Sequence, residues 1–222
     1  MNLCLFDLDH TLIPLDSDHE FGEFLIRKGL ADPVEYRRRN DAFYQQYLDG
    51  TLVLDEYINF STSVWRVLPP AEQAALQEAF MAEVVRPGIR PAALDLIRQH
   101  RDAGDLIAIV TATNEFVTQP IARAFEVEDL IAVKLRRNSS GAVIGEIEGV
   151  PSFREGKITR VDEWLAEKGH TLRDFERVSF YSDSPNDLPL LEKATDPVAT
   201  NPSPALEAEA RARGWRLLYL FS

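Results

Sequence analysis

A single cysteine among 222 residues leaves no intrachain disulfide possible, which excludes the small disulfide-scaffold classes. Glycine is scarce as well, at 11 residues, so the chain is not collagen-like. Basic residues fall short of acidic ones, 24 Lys and Arg against 36 Asp and Glu, for a formal net charge of −12. Such a chain lacks the basic stripe that a phosphate backbone requires and the polybasic patch that grips anionic lipid. Neither a nucleic-acid nor a membrane partner is expected. Long hydrophobic runs are missing too: stretches such as residues 106–110 fall far below the roughly 20 residues of a bilayer-spanning helix. The first apolar stretch is broken by Asp7 and Asp9 and has no basic flank, so it is not read as a secretory signal, and a cytoplasmic location is expected.

What is present is 45% apolar, enough for a core. Residues 2–6, 106–110 and 177–181 are compact apolar segments bounded by polar or turn residues, and they read as buried strands. Between them Ile158, Val161, Trp164 and Leu165 recur at helical spacing within 154–168, and Leu94 and Ile97 mark a helix ending near Gly104. Strands alternating with helices imply parallel pairing in a layered α/β domain. The interval 15–86 breaks the rhythm. It shows no strand pattern but four helical segments, punctuated near Gly29 to Pro33, at Gly50 and at Pro69-Pro70, and it holds nearly half of the aromatic residues. We read it as an inserted all-helical cap with its own core, leaving 1–14 and 87–222 as the α/β body. Residues 132–149 read as a β-hairpin turning at Asn138-Ser139-Ser140-Gly141, and Cys4 as a small buried hydrophobe.

Each strand ends in polar residues. The first ends in Asp7-Leu8-Asp9-His10-Thr11, two carboxylates two residues apart that can project to one side, although a solvated strand exit or a helix cap explains them equally well. The second ends in Thr111-Ala112-Thr113-Asn114, a hydroxyl and free N–H groups suited to an oxyanion, or an ordinary helix cap. The third ends in Ser182-Asp183-Ser184-Pro185-Asn186-Asp187, two further carboxylates four residues apart in a segment that turn chemistry also accounts for. Lys157 opens a helix and, taken alone, reads as a surface charge.

In this order, Asp-x-Asp-x-Thr, Thr, Lys and Asp-x-x-x-Asp, the residues resemble the haloacid dehalogenase superfamily, in its phosphoserine-phosphatase-like branch with a helical cap between the first two motifs. The resemblance implies a Rossmann-like sheet and a phosphoric monoester hydrolase. Asp7 matches the nucleophile that becomes an aspartyl-phosphate, and Asp9 the general acid and base. Thr111, with Ala112 after it, matches the phosphoryl-oxygen site, and Lys157 the cation that offsets its charge. Asn186 corresponds to a phosphate-site asparagine. The implied cofactor is Mg²⁺ among Asp7, Asp9 through its carbonyl, Asp183 and Asp187, the last orienting ligand waters and Lys157. An acid at position 9 favours phosphoryl transfer over halide displacement. A phosphomutase remains the neighbouring alternative; a phosphoacceptor switch and a non-catalytic phospho-ligand binder are the others.

The expected partner is a small phosphorylated metabolite. Asp16 stands where phosphoserine phosphatases carry a cap-side glutamate. Ser61 stands near the position of their carboxylate-binding arginine, and the closest arginine, Arg66, is a turn further on. Phosphoserine is therefore a poor fit, and an amino-alcohol phosphate such as histidinol phosphate a better one. Asp18, beside Asp16, reads as solvated. His10 reads as packing beside the site, while His19, His100 and His170 read as surface or cap residues without metal-ligand spacing.

Overall fold

In the computed structural model, which describes residues 1–221, alternating apolar residues build one sheet from both faces. Its strands are β1 (Leu3–Phe6), β2 (Leu106–Asn114), β3 (Asp129–Val133), β6 (Val178–Ser182), β7 (Asp196–Thr200) and β8 (Arg216–Leu218). The order is β3-β2-β1-β6-β7-β8, every pair parallel. Successive strand residues point to opposite faces. Leu3 and Leu5 therefore enter one buried cluster and Cys4 and Phe6 the other. The Leu3/Leu5 face is covered by α8 (Glu155–Glu167), α9 (Leu188–Leu191) and α10 (Pro204–Arg213) through residues such as Val161, Leu165, Leu190 and Leu206. Across the sheet lie α6 (Pro91–Asp102) and α7 (Glu115–Ala124), with Ile97, Val117 and Ile121. The short helix α5 (Arg86–Gly88) leads into α6. From β1 the chain builds outward to β3 on one side and to β8 on the other, so strand order reverses at β1. The crevice beyond the strand ends at such a reversal is where α/β sheets bind ligands.

Between β1 and β2 the chain forms α1 (Ser17–Arg27), α2 (Glu35–Leu48), α3 (Leu54–Thr62) and α4 (Pro70–Phe80), which runs on as a π-helical turn at Met81–Val85. These helices do not bury a core of their own, contrary to the sequence expectation. Phe21, Phe24, Ile58 and Phe80 belong to the same buried cluster as Phe6, Ile109 and Val117. A proline explains part of the junction. Pro120 inside α7 has no N–H to give Phe116, four residues earlier, so that carbonyl is left free. Gln77 of α4 donates to it at 2.5 Å, and Trp65 stacks on the Phe116 ring with centroids 3.7 Å apart.

The hairpin forms as expected, from β4 (Leu135–Arg137) and β5 (Val143–Ile147), and packs against α3. Asn138 closes its turn by accepting the Ser140 and Ala142 N–H groups on its side chain. Strands β3, β7 and β8 are not marked by the sequence pattern. β7 opens on Asp196-Pro197 and β8 has only three residues. Cys4 is buried, and no helix is long and apolar enough to cross a membrane among the described residues. His100 differs from its reading as a surface residue: its ring bonds Asp105 at 2.7 Å and the Tyr181 hydroxyl at 2.8 Å.

Candidate active site

Three strand ends and the start of α8 meet at one point. Asp7 leaves β1 with its N–H bonded to the Tyr181 carbonyl of β6 at 2.9 Å, which fixes where its side chain emerges. Lys157, 1% exposed in the first turn of α8, places Nζ 2.8 Å from Asp7 Oδ1 and 2.7 Å from Asp187 Oδ1. Asp187 also accepts the Ser182 hydroxyl at 2.7 Å. Thr11 completes the join: Oγ1 accepts the Asp183 N–H at 3.1 Å and lies 3.2 Å from Asp7 Oδ2 and 3.4 Å from Asp183 Oδ1. Its one proton thus sits between two carboxylates. The loop carrying Thr11 turns through His10 at φ 54°, a left-handed conformation unfavourable for histidine. Asn201 holds it by donating to the His10 and Thr11 carbonyls at 3.0 and 3.1 Å.

Gly156 allows Lys157 its position. A Cβ there would stand 2.1 Å from the Pro151 carbonyl oxygen, a backbone atom that cannot swing aside. Gly156→Ala is therefore expected to cost about 1–3 kcal/mol of stability, a few degrees in Tm, and to lower turnover by moving Lys157. Thermal unfolding and steady-state kinetics on the one variant check both.

Asp9 belongs to a different network. Its Oδ1 accepts the Ser17 N–H at 2.8 Å and its Oδ2 the Thr113 hydroxyl at 2.8 Å. β2 runs past the expected end at Val110 to Asn114, with its register against β3 shifting between those residues. That irregularity presents Thr111 and Thr113 to the site. Thr111 Oγ1 accepts the Thr113 N–H at 3.1 Å, which leaves its own proton free for an incoming oxygen.

One cation serves three carboxylates here. Burial pushes Asp7 up against the opposing pull of Lys157, and burial with the charges of Asp7 and Asp187 pushes Asp183 well up. Asp187 is pushed up to about 6, chiefly by burial and against the pull of Lys157. Burial alone would lower Lys157, but Asp187 and Asp7 hold it above the ordinary lysine value. Asp9 is pushed up to about 6 by burial and then by Asp16, against the hydrogen bonds from Ser17 and Thr113.

Among the described residues no three His, Cys, Asp or Glu side chains form a ready-made metal cage. The four aspartates divide between different partners. Asp9 turns its side chain to Thr113 and Ser17, and Asp187 is engaged by Lys157 and Ser182. Asp7 and Asp183 remain facing Thr11. All-oxygen donors with an uncompensated negative charge fit a hard divalent ion such as Mg²⁺.

A cavity opens from this centre between sheet and helices. Asp7, Asp9, Thr111, Ala112 and Thr113 form its floor, Asp16, Asp18 and His19 of the α1 segment one side, and Phe43, Tyr44, Tyr47, Tyr57 and Phe153 much of the remaining wall. A second cleft shares Asp9, Asp16, Tyr44 and Tyr47 and includes Asp183 and Asn186. Asn186 is not in the main cavity; its amide donates to the Tyr47 carbonyl at 3.1 Å. Asp16 lines the cavity while capping α1, its Oδ1 accepting the Asp18 and His19 N–H groups at 3.1 and 2.8 Å. Arg66 is not a lining residue: it donates to Asn59 and Thr62 and packs over Gly145 of the hairpin. Ser61 is buried with its hydroxyl unpartnered. The expectation that Asp18 is solvated fails, since it is 7% exposed and lines the cavity. Its inward turn depends on where α1 packs, which sequence spacing alone does not carry.

Comparison with known proteins agrees with this geometry. The family model for haloacid dehalogenase-like hydrolases matches residues 4–192. A histidinol-phosphatase of Neisseria meningitidis serogroup C is 42% identical over 217 residues, covering 98% of each chain. A solved structure of a Bordetella pertussis Tohama I protein of unknown function superposes with a TM-score of 0.93 at 52% identity, covering 99% of each chain. A substrate-bound phosphoserine phosphatase superposes at TM-score 0.69 and 17% identity, over 98% of this chain and 92% of that one, a likeness of fold. With its aspartate-bearing strand end, buried lysine and late aspartates all inside the matched span, the chain belongs to the haloacid dehalogenase-like hydrolases, as one of their phosphatases.

Proposed function

We propose that the protein hydrolyses a small, cation-bearing phosphomonoester through a phosphoryl group carried on Asp7. The observation that carries this reading is Asp7 itself: a carboxylate on the cavity floor, held by Lys157 and Thr11, with a second carboxyl, Asp9, on the same floor. Asp7 forms a bond to phosphorus as the ester P–O bond breaks, and the departing alkoxide takes its proton from Asp9. Asp9, now ionised, takes a proton from water as that water attacks phosphorus, and the bond to Asp7 breaks to release phosphate. The Thr111 hydroxyl donates to a phosphoryl oxygen throughout. Lys157 offsets charge on Asp7 from behind. Mg²⁺ held by Asp7, Asp183 and the Asp9 carbonyl would neutralise phosphoryl charge and let an anion approach these acids. Residues 15–86 serve as the cap over the substrate. Its α2 end is fastened by Asn186 to Tyr47, by His10 to Tyr44 at 3.3 Å, and by Arg154 to the Gly50 carbonyl.

The cavity favours a cationic alcohol. Among the described residues neither arginine nor lysine lines it, so a substrate carboxylate finds no cation there, whereas three carboxylates besides Asp7 and five Phe and Tyr rings do line it. The histidinol-phosphatase of Neisseria meningitidis among its relatives makes histidinol phosphate the first substrate to assay. In a panel of phosphomonoesters, phosphate release is expected with Mg²⁺ and to fall by about 100-fold or more in EDTA, returning when the metal is restored. Release that persists in EDTA would overturn the metal-dependent reading.

A further inference from the structure

Two aspartates of the α1 segment line the cavity, and they do different things. Asp16 is a helix cap, with Oδ1 receiving two backbone N–H groups. Asp18 receives none. Its Oδ1 accepts the Asn114 amide at 3.3 Å, and Tyr57 lines the cavity with it. Both neighbours are neutral, and no Lys, Arg or His lies within ion-pair distance of Asp18 among the described residues. A carboxylate 7% exposed, aimed into a cavity and lacking a cation, is costly unless a cation arrives. Burial, with Asp16 and Asp9 nearby, pushes its pKa well up, as expected of a charge site missing its partner.

The placement defines what would arrive. Thr111 faces the phosphoryl position, Thr113 holds Asp9 and Asn114 holds Asp18, so one strand end fixes both ends of the substrate. Three residues of extended strand span roughly 10 Å. The rings of Tyr57, Tyr44 and Phe43 stand in the same wall and suit a cationic nitrogen.

We propose that Asp18 is the specificity-determining residue for the substrate's cationic end, receiving an ammonium joined to the phosphate by a short carbon skeleton. This rests on the phosphatase reading above. The test compares histidinol phosphate with its deamino analogue on the wild-type enzyme and on Asp18→Asn, with Mg²⁺ present. The wild type is expected to prefer the cationic ester. In Asp18→Asn the ratio of kcat/KM values, cationic over deamino, falls about 10- to 100-fold, mostly through KM. An equal loss on both esters overturns the proposal, because a structural defect would not discriminate. No preference in the wild type overturns it as well. Should Asp18→Asn fail to fold, inhibition of the wild type by histidinol and by its deamino alcohol decides: stronger inhibition by the amine supports Asp18, and equal inhibition contradicts it. Absence of phosphate release from any ester would instead bring down the phosphatase reading and this one with it.

Discussion

Asp7→Asn is expected to lower kcat by roughly 10⁴-fold or more, because an amide oxygen is a poor nucleophile towards phosphorus. The fold should survive. Lys157 keeps Asp187 at 2.7 Å when its bond to Asp7 is lost, and the buried carboxylates sharing that one cation fall from three to two. Thermal unfolding should therefore shift by only a few degrees. Kinetics and thermal unfolding on one preparation distinguish lost chemistry from lost structure. An Asp7→Asn variant that retains more than about a hundredth of wild-type turnover would remove Asp7 from the reaction.

Asp9→Asn should depend on the leaving group. An alkoxide needs a proton as it departs, so kcat/KM for an alkyl phosphate is expected to fall about 10²- to 10⁴-fold, whereas an ester of an acidic phenol should lose far less. The same group sets the pH dependence. Burial and the Asp16 charge hold the folded-state pKa of Asp9 at about 6, above the ordinary carboxylate value, so the acid form is present below that pH and lost above it. The kcat/KM of the wild type for an alkyl phosphate should then decline by about tenfold per pH unit above that point, while the aryl ester stays nearly level. A rise in alkyl-ester kcat/KM through the same range would show Asp9 acting first as a base.

Much of this site was legible in the sequence because its residues are tied to strand ends. Asp7, Thr111 and Asp183 each follow an apolar run that can be nothing but buried, and a parallel sheet brings such ends together wherever the helices fall. Lys157 was legible only through the family resemblance; by itself a lysine after a glycine is unremarkable. The specificity wall was not legible. Asp18, Tyr57 and Phe43 come from three helices, and the face each presents depends on how α1 seats on α7, α2 on α1 and α3 on the hairpin. That seating is set partly by the Phe116 carbonyl that Pro120 leaves free, a long-range consequence with no local pattern. The same packing keeps Arg66 on Asn59 and Thr62, away from the cavity. The outer strands are unmarked because β3 and β7 each open on an aspartate, β7 carries a proline next, and β8 has only three residues.

The central claim is that phosphate passes through Asp7. Mixing the enzyme with excess substrate and Mg²⁺, quenching in acid before the steady state and mapping the peptides tests it most directly. A phosphoryl group on Asp7, formed and lost at rates matching turnover and absent from Asp7→Asn, is the predicted result. Product formed with no phosphorylated enzyme at any time, or with the phosphoryl group on another residue, would contradict it.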